Sequence, residues 1–252
     1  TAATLVGPIL SGLLYSAYAG LPFLAAAGIS LMLFLLVFST VHERGSSSIE
    51  QGERGDTETW RLHRSFLFVA WVANFASWFV MGNARFQFPK LARELDLPPH
   101  LIGLILGFLG LALFSGFFLL RKTDRWHFAR NFLFGAQLLA FAGLSLITVS
   151  KEALLFAVAL IMIGLSCSVT YYSSLYYAVH LLKKKGKGSG LHESILGGGA
   201  VLGPILGGVA AQYAGLRAPY VLCMGVLVAV FAIELALLKK ADSRASRACS
   251  RG

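Results

Sequence analysis

Charged side chains are scarce in this chain of 252 residues. They make up 13% of the sequence, whereas hydrophobic residues make up 56% and the mean hydropathy is +0.70. A soluble domain carries about 25% charged residues, so the chain lacks the residues for a water-facing shell. This scarcity excludes an ordinary soluble protein and predicts an integral membrane protein.

Cysteines are few and reactive motifs are absent. Cys167, Cys223 and Cys249 have no spacing typical of a disulfide framework or a metal site. The sequence has no phosphate-binding loop, no zinc-protease motif and no nucleophile elbow. We therefore expect no enzyme activity, no catalytic residue, no metal and no cofactor.

The net charge is +10, yet it does not indicate nucleic-acid binding. A nucleic-acid surface needs basic residues clustered on a polar face, whereas here they lie between long apolar runs. The lipid bilayer is the expected partner, and nucleic acid is not.

Long apolar runs predict eight transmembrane helices, because about 20 apolar residues cross the roughly 30 Å hydrocarbon core of a bilayer. The predicted spans are 3–19, 21–41, 66–86, 99–120, 129–149, 152–180, 191–214 and 218–238. The polar segment 42–65 is rich in Gly, Ser, Glu and Arg, which is typical of a flexible linker. A polar tail ends the chain.

The basic residues predict the orientation. Of the 22 lysines and arginines, 17 lie in the linker, in or beside the connections after the fourth and sixth spans, and from Lys239 to the end of the chain. These regions alternate in register with the eight spans, and basic residues mark cytoplasmic loops. We therefore expect a multi-pass protein of the cell membrane (plasma or inner) with a cytoplasmic linker and tail.

An internal repeat links the first and seventh spans. Residues 5–12 read LVGPILSG and residues 201–208 read VLGPILGG, at an offset of 196. A YAGL turn follows each copy. Glycines at i+4 spacing let a neighbouring helix approach closely, and the proline removes a backbone N–H and bends the helix. The pattern indicates a seam where two helices pack tightly or rock against each other.

This motif resembles one in the major facilitator superfamily. The residues that match Gly-x-x-x-Gly-Pro-x-x-Gly-Gly, known from the fifth helix of many proton-coupled antiporters, are Gly199, Gly203, Pro204, Gly207 and Gly208. Gly7, Pro8 and Gly12 match it with Ser11 replacing one glycine.

The resemblance implies an all-α polytopic membrane protein with the major facilitator fold, of which eight helices are present. Residues 1–41 would be the last two helices of the N-terminal six-helix unit and 42–65 the cytoplasmic linker. Residues 66–239 would form the C-terminal six-helix unit and 240–252 the tail. The first four helices of the same protein would precede this chain.

The connection after the fourth span is similar to the superfamily's Asp-Arg loop, which holds the cytoplasmic side closed. Asp124 and Arg125 would then be gate residues, although Leu120 replaces the glycine that the family has there. A basic loop that only follows the charge rule is the alternative.

Two spans carry most of the polar and aromatic residues, and polar residues in a bilayer are candidates for function. The third span has Asn74, Trp78 and Arg85 on one stripe. The sixth has Ser166, Thr170, Ser173 and Tyr177 at helical spacing. By resemblance these are helices seven and ten, which line the central cavity. Interhelical hydrogen bonding is the competing interpretation.

Acidic residues in the spans are few. Glu193 begins the seventh span and is the one candidate for a proton-linked group, although a terminal charge is the simpler interpretation. Glu234 is expected to reach the membrane surface or to pair with Lys239, five residues later.

The sequence therefore predicts a secondary transporter that moves a small organic solute by alternating access, with proton-coupled export as the favoured direction. The alternatives are an uptake carrier for an organic anion steered by Arg85, and a membrane scaffold or receptor that does not transport.

Overall fold

A computed structural model of the chain describes residues 2–40, 57–123, 126, 129–182 and 185–249, and these residues form eight α-helices. The helices are α1 (Ala2–Ala17), α2 (Leu21–Thr40), α3 (Thr57–Glu94), α4 (Pro99–Leu120), α5 (Arg130–Val149), α6 (Ala153–Leu181), α7 (Lys185–Ala214) and α8 (Ala218–Cys249). The predicted all-α fold with eight apolar helices is confirmed.

Six of the helices, α3 to α8, are long and apolar enough to cross a membrane. Helices α1 and α2 contribute the shorter apolar stretches Leu5–Ala17 and Leu21–Leu36. The short turns between α3 and α8 make neighbouring helices antiparallel. One end of the bundle therefore holds the starts of α3, α5 and α7 and the ends of α4, α6 and α8. We call it the basic end and the other the opposite end.

The turns have proline and glycine at positions that favour these residues. Pro98 is the N-cap of α4 and Pro99 its first residue, a position where proline costs nothing because that N–H has no helical partner. Gly20 lies in the turn between α1 and α2. Gly215 joins α7 to α8 with φ +87°, a left-handed conformation that glycine adopts without steric cost.

Helix α3 is longer than the predicted third span, 66–86. It begins at Thr57, inside the segment 42–65 that we expected to be linker, and it continues to Glu94. Residues 41–56 lie outside the described part of the chain. The extension places Arg85 nine residues before the end of α3, which is roughly 13 Å along the axis at 1.5 Å per residue. Arg85 is thus inside the helix and not at its boundary.

Packing places α3 and α6 at the centre of the bundle. Helix α6 packs against α4, α5, α3 and α7, while α3 packs against α7, α6 and α8. Helix α1 packs along α4. A large apolar core lies between these helices toward the opposite end and includes Phe88, Phe156 and Tyr220. A second core at the basic end surrounds Trp71 and Tyr177.

Candidate functional site

The polar stripes of α3 and α6 lie on helices that pack against each other. Three contacts fix the antiparallel register: the rings of Phe66 and Tyr177 are 6.3 Å apart, those of Trp78 and Tyr171 are 6.1 Å apart, and Cys167 Sγ donates to the carbonyl of Ser77 at 3.3 Å. We call this the α3–α6 surface.

The side chains predicted to line a cavity are almost all buried at or beside this surface. Asn74, Ser166, Thr170, Ser173 and Tyr177 are at most 2% exposed, while Trp78 and Arg85 are half-buried. The Thr170 hydroxyl donates to the carbonyls of Ser166 and Cys167 on its own helix. Its hydrogen-bonding capacity as a donor is therefore used within α6.

Several buried polar atoms on these two helices have no hydrogen-bond partner within the described part of the chain. The atoms are Trp71 Nε1, Asn74 Oδ1 and Nδ2, Ser77 Oγ, Trp78 Nε1, Asn83 Oδ1, Gln87 Oε1 and Ser166 Oγ. A buried polar group without a partner costs about 1–3 kcal/mol, and such groups are rare in native proteins. Their concentration on α3 and α6 marks a surface with unused hydrogen-bonding capacity. Trp71 lies on the stripe that helical spacing predicts for the third span, whereas Ser77 was not singled out from the sequence.

Arg85 extends over the indole ring of Trp78, with Cζ 5.8 Å from the ring centroid. This is the distance of a cation–π contact. No carboxylate of the described residues forms a salt bridge with Arg85. A half-buried guanidinium that lies over an aromatic ring and has no acidic partner can bind an anion.

The glycines of the second motif copy pack α7 against α3 in register. A Cβ atom added to Gly199 would lie 2.5 Å from the carbonyl oxygen of Phe75, and Gly203 and Gly207 lie even closer to Phe79 and Asn83 respectively. The three glycines on α7 thus face three residues on α3 with the same i, i+4, i+8 spacing. We call this the α3–α7 seam.

Pro204 meets a glycine at this seam. A Cβ at Gly82 would lie 2.7 Å from Pro204 Cδ and 2.9 Å from the carbonyl oxygen of Ala200. That carbonyl is the one whose helical N–H partner the proline removes. Gln87 Nε2 donates to the carbonyl of Pro204 at 3.1 Å, which adds a hydrogen bond between α3 and α7.

The first motif copy packs a different face. Pro8 and Gly12 on α1 lie against Gly103 on α4, and a Cβ at Gly12 would be 2.7 Å from the carbonyl oxygen of Pro99. Gly103 and Gly107 of α4 both contact α1. A Cβ at Gly7, the counterpart of Gly203, would have no described atom within 4 Å.

His192 and Glu193 begin the membrane part of α7 with opposite exposure. The His192 side chain is fully buried and its Nδ1 lies 2.8 Å from Ser174 Oγ on α6. Glu193 is 60% exposed, and its carboxylate lies 4.0 Å from His192 Nε2. The candidate proton-linked residue is therefore open to the surroundings at the basic end.

The structure corrects our expectation for Glu234. Its side chain does not reach the surface or Lys239: it is 0% exposed, and both carboxyl oxygens lie 2.6 Å from Gln137 Nε2 on α5. Glu234 is close to the end of α8 along the chain, but it lies on the face of α8 that points into the bundle.

The predicted gate residues, Asp124 and Arg125, lie outside the described residues. Trp126 in the same connection is described, and its indole N–H donates to the carbonyl of Leu120 at 3.0 Å, at the end of α4. Its ring also packs edge-on against Tyr172 and Tyr176 of α6. Trp126 therefore anchors this connection to two helices, a role that the sequence did not indicate.

A cavity of about 320 Å³ lies at the basic end between α4, α5 and α6. Its lining is mostly apolar and includes Leu119, Phe132 and Val169. It contains none of the side chains predicted to bind a solute. No group of three or more His, Cys, Asp or Glu side chains that could hold a metal ion occurs among the described residues.

Comparison with known families agrees with this arrangement of helices. The sequence model of the Major Facilitator Superfamily matches residues 1–194 and, in a second match, residues 70–250. Comparison with curated protein sequences found no matching relative. The two family matches together cover nearly the whole chain, so the chain belongs to the Major Facilitator Superfamily and is a multi-pass membrane protein of the transporter type.

Proposed function

We propose that the protein is a secondary active transporter that moves a small organic solute by alternating access, and that the solute binds at the α3–α6 surface. The observation that carries this proposal is the set of unpartnered buried polar atoms on α3 and α6, which includes both polar side-chain atoms of Asn74. In transporter folds of this kind the substrate site lies near the bilayer midplane between moving helices. A solute that enters between α3 and α6 would supply the hydrogen bonds that these atoms lack.

The chemistry of the surface favours an organic solute over a bare ion. Two indole N–H groups, a carboxamide and hydroxyls alternate there with aromatic rings. Binding sites for organic molecules combine apolar and aromatic lining with a few polar groups that fix orientation. A metal cation would need several oxygen ligands at close range.

Solute flux into proteoliposomes tests the α3–α6 surface. Replacing Asn74, Trp78 or Ser166 by Ala should reduce transport about tenfold or change the solute preference, since losing one or two hydrogen bonds costs about 1–2 kcal/mol. Ser194→Ala is the control, because Ser194 on α7 is exposed and bonds only to its own helix, at Gly190. Wild-type flux in all three variants would exclude the surface. An absence of flux from the wild type with every solute tried would favour a membrane scaffold.

Arg85 supports a second candidate, a carrier for an organic anion. The guanidinium lies over Trp78 at the α3–α6 surface without a carboxylate partner among the described residues. Arg85→Gln should abolish transport of anionic solutes and spare neutral ones, whereas Arg85→Lys should restore only part of it because lysine lacks the planar fork of donors. Equal loss for anionic and neutral solutes would argue against this candidate.

For direction we propose proton-coupled export, which the resemblance of the glycine-proline motif to that of proton-coupled antiporters supports. Acidifying one side of the proteoliposome membrane should then drive solute toward that side, opposite to the movement of protons. Solute movement away from the acidified side, together with the protons, would indicate symport. Glu193 is the proton-linked candidate of α7. Glu193→Gln should abolish the response to a pH gradient if it holds this role.

We further propose that helices of the same protein cover the free face of α7. The face of α1 that contacts α4 includes Leu5, Ile9 and Gly12, and its counterpart on α7 includes Val201 and Ile205, which are 58% and 57% exposed. The first four helices of the family plan would cover this face.

The basic end is proposed to lie in the cytoplasm, as the distribution of lysines and arginines predicts. Reporter fusions after Gly52 and Lys184 should both report the cytoplasm, while a fusion after Lys151 should not. The same experiment in fractionated cells identifies which membrane holds the protein.

A further inference from the structure

Glu234 lies where a carboxyl group has no access to water. Its side chain is 0% exposed and that of Gln137 is 3% exposed. Both residues lie inside candidate membrane spans, on α8 and α5 respectively. Among the side chains that the structure describes, Glu234 is the one buried acid. An ionisable residue in this position is costly and is a candidate for function.

No basic group of the described residues compensates a charge on Glu234. Helix α8 packs against α3, α5 and α7, and the basic side chains described on these helices have no recorded contact with Glu234. Arg85 on α3 lies over Trp78, Arg130 on α5 lies over Phe66, and His192 on α7 bonds to Ser174. On α8 itself, Lys239 and Lys240 are exposed.

The hydrogen bonds between the two residues are incomplete when Glu234 is ionised. A carboxylate only accepts hydrogen bonds, so the amide nitrogen of Gln137 can serve both of its oxygens, at 2.6 Å each. The amide oxygen, Gln137 Oε1, is buried and has no partner among the described residues. The ionised pair thus leaves an uncompensated charge and an unsatisfied acceptor, both in a low-dielectric environment.

A single proton removes both defects. A protonated carboxyl donates through its O–H to Gln137 Oε1 and accepts from Gln137 Nε2 through its other oxygen. The result is a neutral, reciprocal acid–amide pair with two hydrogen bonds. It requires only a turn of the amide in its plane, because the two side chains are already in contact.

We propose that Glu234 and Gln137 form a proton-binding site, separate from the α3–α6 surface, in which Glu234 carries a proton while α5 and α8 are packed as they are here. Binding takes one proton from water, forms one O–H bond at the carboxyl group and changes the charge of the site from minus one to zero. Separation of α5 from α8 would hydrate the acid and return the proton to water.

Infrared spectroscopy of the purified protein at neutral pH tests the proton directly. A protonated carboxyl has a C=O stretching band that a carboxylate lacks. The wild type should show this band, and Glu234→Gln should lose an intensity equal to one carboxyl group per chain. Glutamine has nearly the shape of the protonated acid and can form the same reciprocal pair with Gln137, so we expect this variant to fold.

Two further variants make the result decisive. Glu152→Gln removes an exposed acid at the start of α6 and should leave the band unchanged. Gln137→Leu should keep the band but shift it to higher frequency, because the acid loses its hydrogen-bonded partner. Identical spectra of the wild type and Glu234→Gln would overturn the proposal, as would an unshifted band in Gln137→Leu. None of these measurements depends on transport, so they stand apart from the proposed function.

Discussion

Gly203 of α7 lies directly against the backbone carbonyl of Phe79 on α3, closer than any side chain at residue 203 would allow. The contact joins two backbones, so neither helix can relieve a clash by changing a rotamer. Gly199 one turn earlier makes the same kind of contact with Phe75. The α3–α7 seam is therefore set by the absence of side chains, and α3 also carries the stripe that we assign to solute binding.

The first prediction is that Gly203→Ala destabilises the protein by about 1–3 kcal/mol, the usual cost of overpacking, and reduces transport by displacing α3. Thermal unfolding in detergent and flux in proteoliposomes measure the two effects. Gly197→Ala is the matched control on the same helix, because a Cβ there has no described atom within 4 Å. Alanine favours helix over glycine by about 1 kcal/mol, so the control should be neutral or stabilising. Equal melting temperatures for the two variants would contradict a tight seam at Gly203.

A second prediction separates side-chain clashes from backbone clashes at the same seam. Gly207 faces the side chain of Asn83, whose Nδ2 donates to the carbonyl of Phe79 at 3.0 Å. Gly207→Ala should destabilise the protein, and adding Asn83→Ala should restore part of the loss because the obstructing amide is gone. The coupling energy should be about 1 kcal/mol, within the range for residues in contact.

Thermal unfolding of the two single variants and the double variant gives this coupling. The pair Gly203→Ala and Asn83→Ala is the control, since the carbonyl of Phe79 remains in place and no rescue is expected. Rescue of both glycine variants by Asn83→Ala would instead show that loss of the amide loosens the whole seam.

The repeated glycine-proline motif predicts close helix contacts but not which face of each helix makes them. The repeat at residues 5–12 and 201–208 predicts two tight seams, and both form. It does not predict that α1 would use the face of Pro8 and Gly12 while α7 uses the face of Gly203. Sequence similarity fixes which residues are small, whereas the neighbouring helices determine which side of each helix is covered.

For the polar residues, too, the sequence predicts burial but not the hydrogen-bond partner. Asn74 and Thr170 are both buried, as helical periodicity predicts, but Thr170 bonds to its own helix and Asn74 has no partner among the described residues. Glu234 was missed because its partner, Gln137, is 97 positions away in the sequence. Helical periodicity gives the face of a residue and not the identity of a distant partner.

A third prediction concerns Arg217, which holds the end of α5. One guanidinium nitrogen donates to the carbonyl of Ser150 at 2.6 Å and another donates to the carbonyl of Thr148. The last carbonyls of a helix lack helical partners and attract positive charge. Arg217→Ala should lower the free energy of unfolding by about 1–2 kcal/mol, and Arg217→Lys should recover less than half because an ammonium cannot match the two-pronged geometry.

Lys151 provides the control for Arg217. It is a base in the same region, two residues beyond the end of α5, and it is exposed. Lys151→Ala should change the melting temperature little, since surface charges contribute about 0–1 kcal/mol. A loss in Lys151→Ala as large as that in Arg217→Ala would point to general charge at this end and not to capping.

The last prediction concerns Asp96, which ends α3 in a left-handed conformation with φ +59°. The N–H of Leu97 bonds to the carbonyl of Ala92 at 3.0 Å and that of Asp96 bonds to the carbonyl of Arg93 at 3.1 Å. This is the Schellman arrangement, in which glycine is the preferred residue at the left-handed position. A side chain there costs about 1–2 kcal/mol, less for aspartate, whose short polar side chain can bond locally.

Asp96→Gly should therefore raise the melting temperature by relieving this strain, while Asp96→Ala should lower it or leave it unchanged, because alanine keeps the strain and loses the polar group. Thermal unfolding of the two variants under the same conditions measures the difference, for which we expect about 1 kcal/mol in favour of glycine. If the alanine variant were the more stable of the two, backbone strain would not determine the stability of this turn.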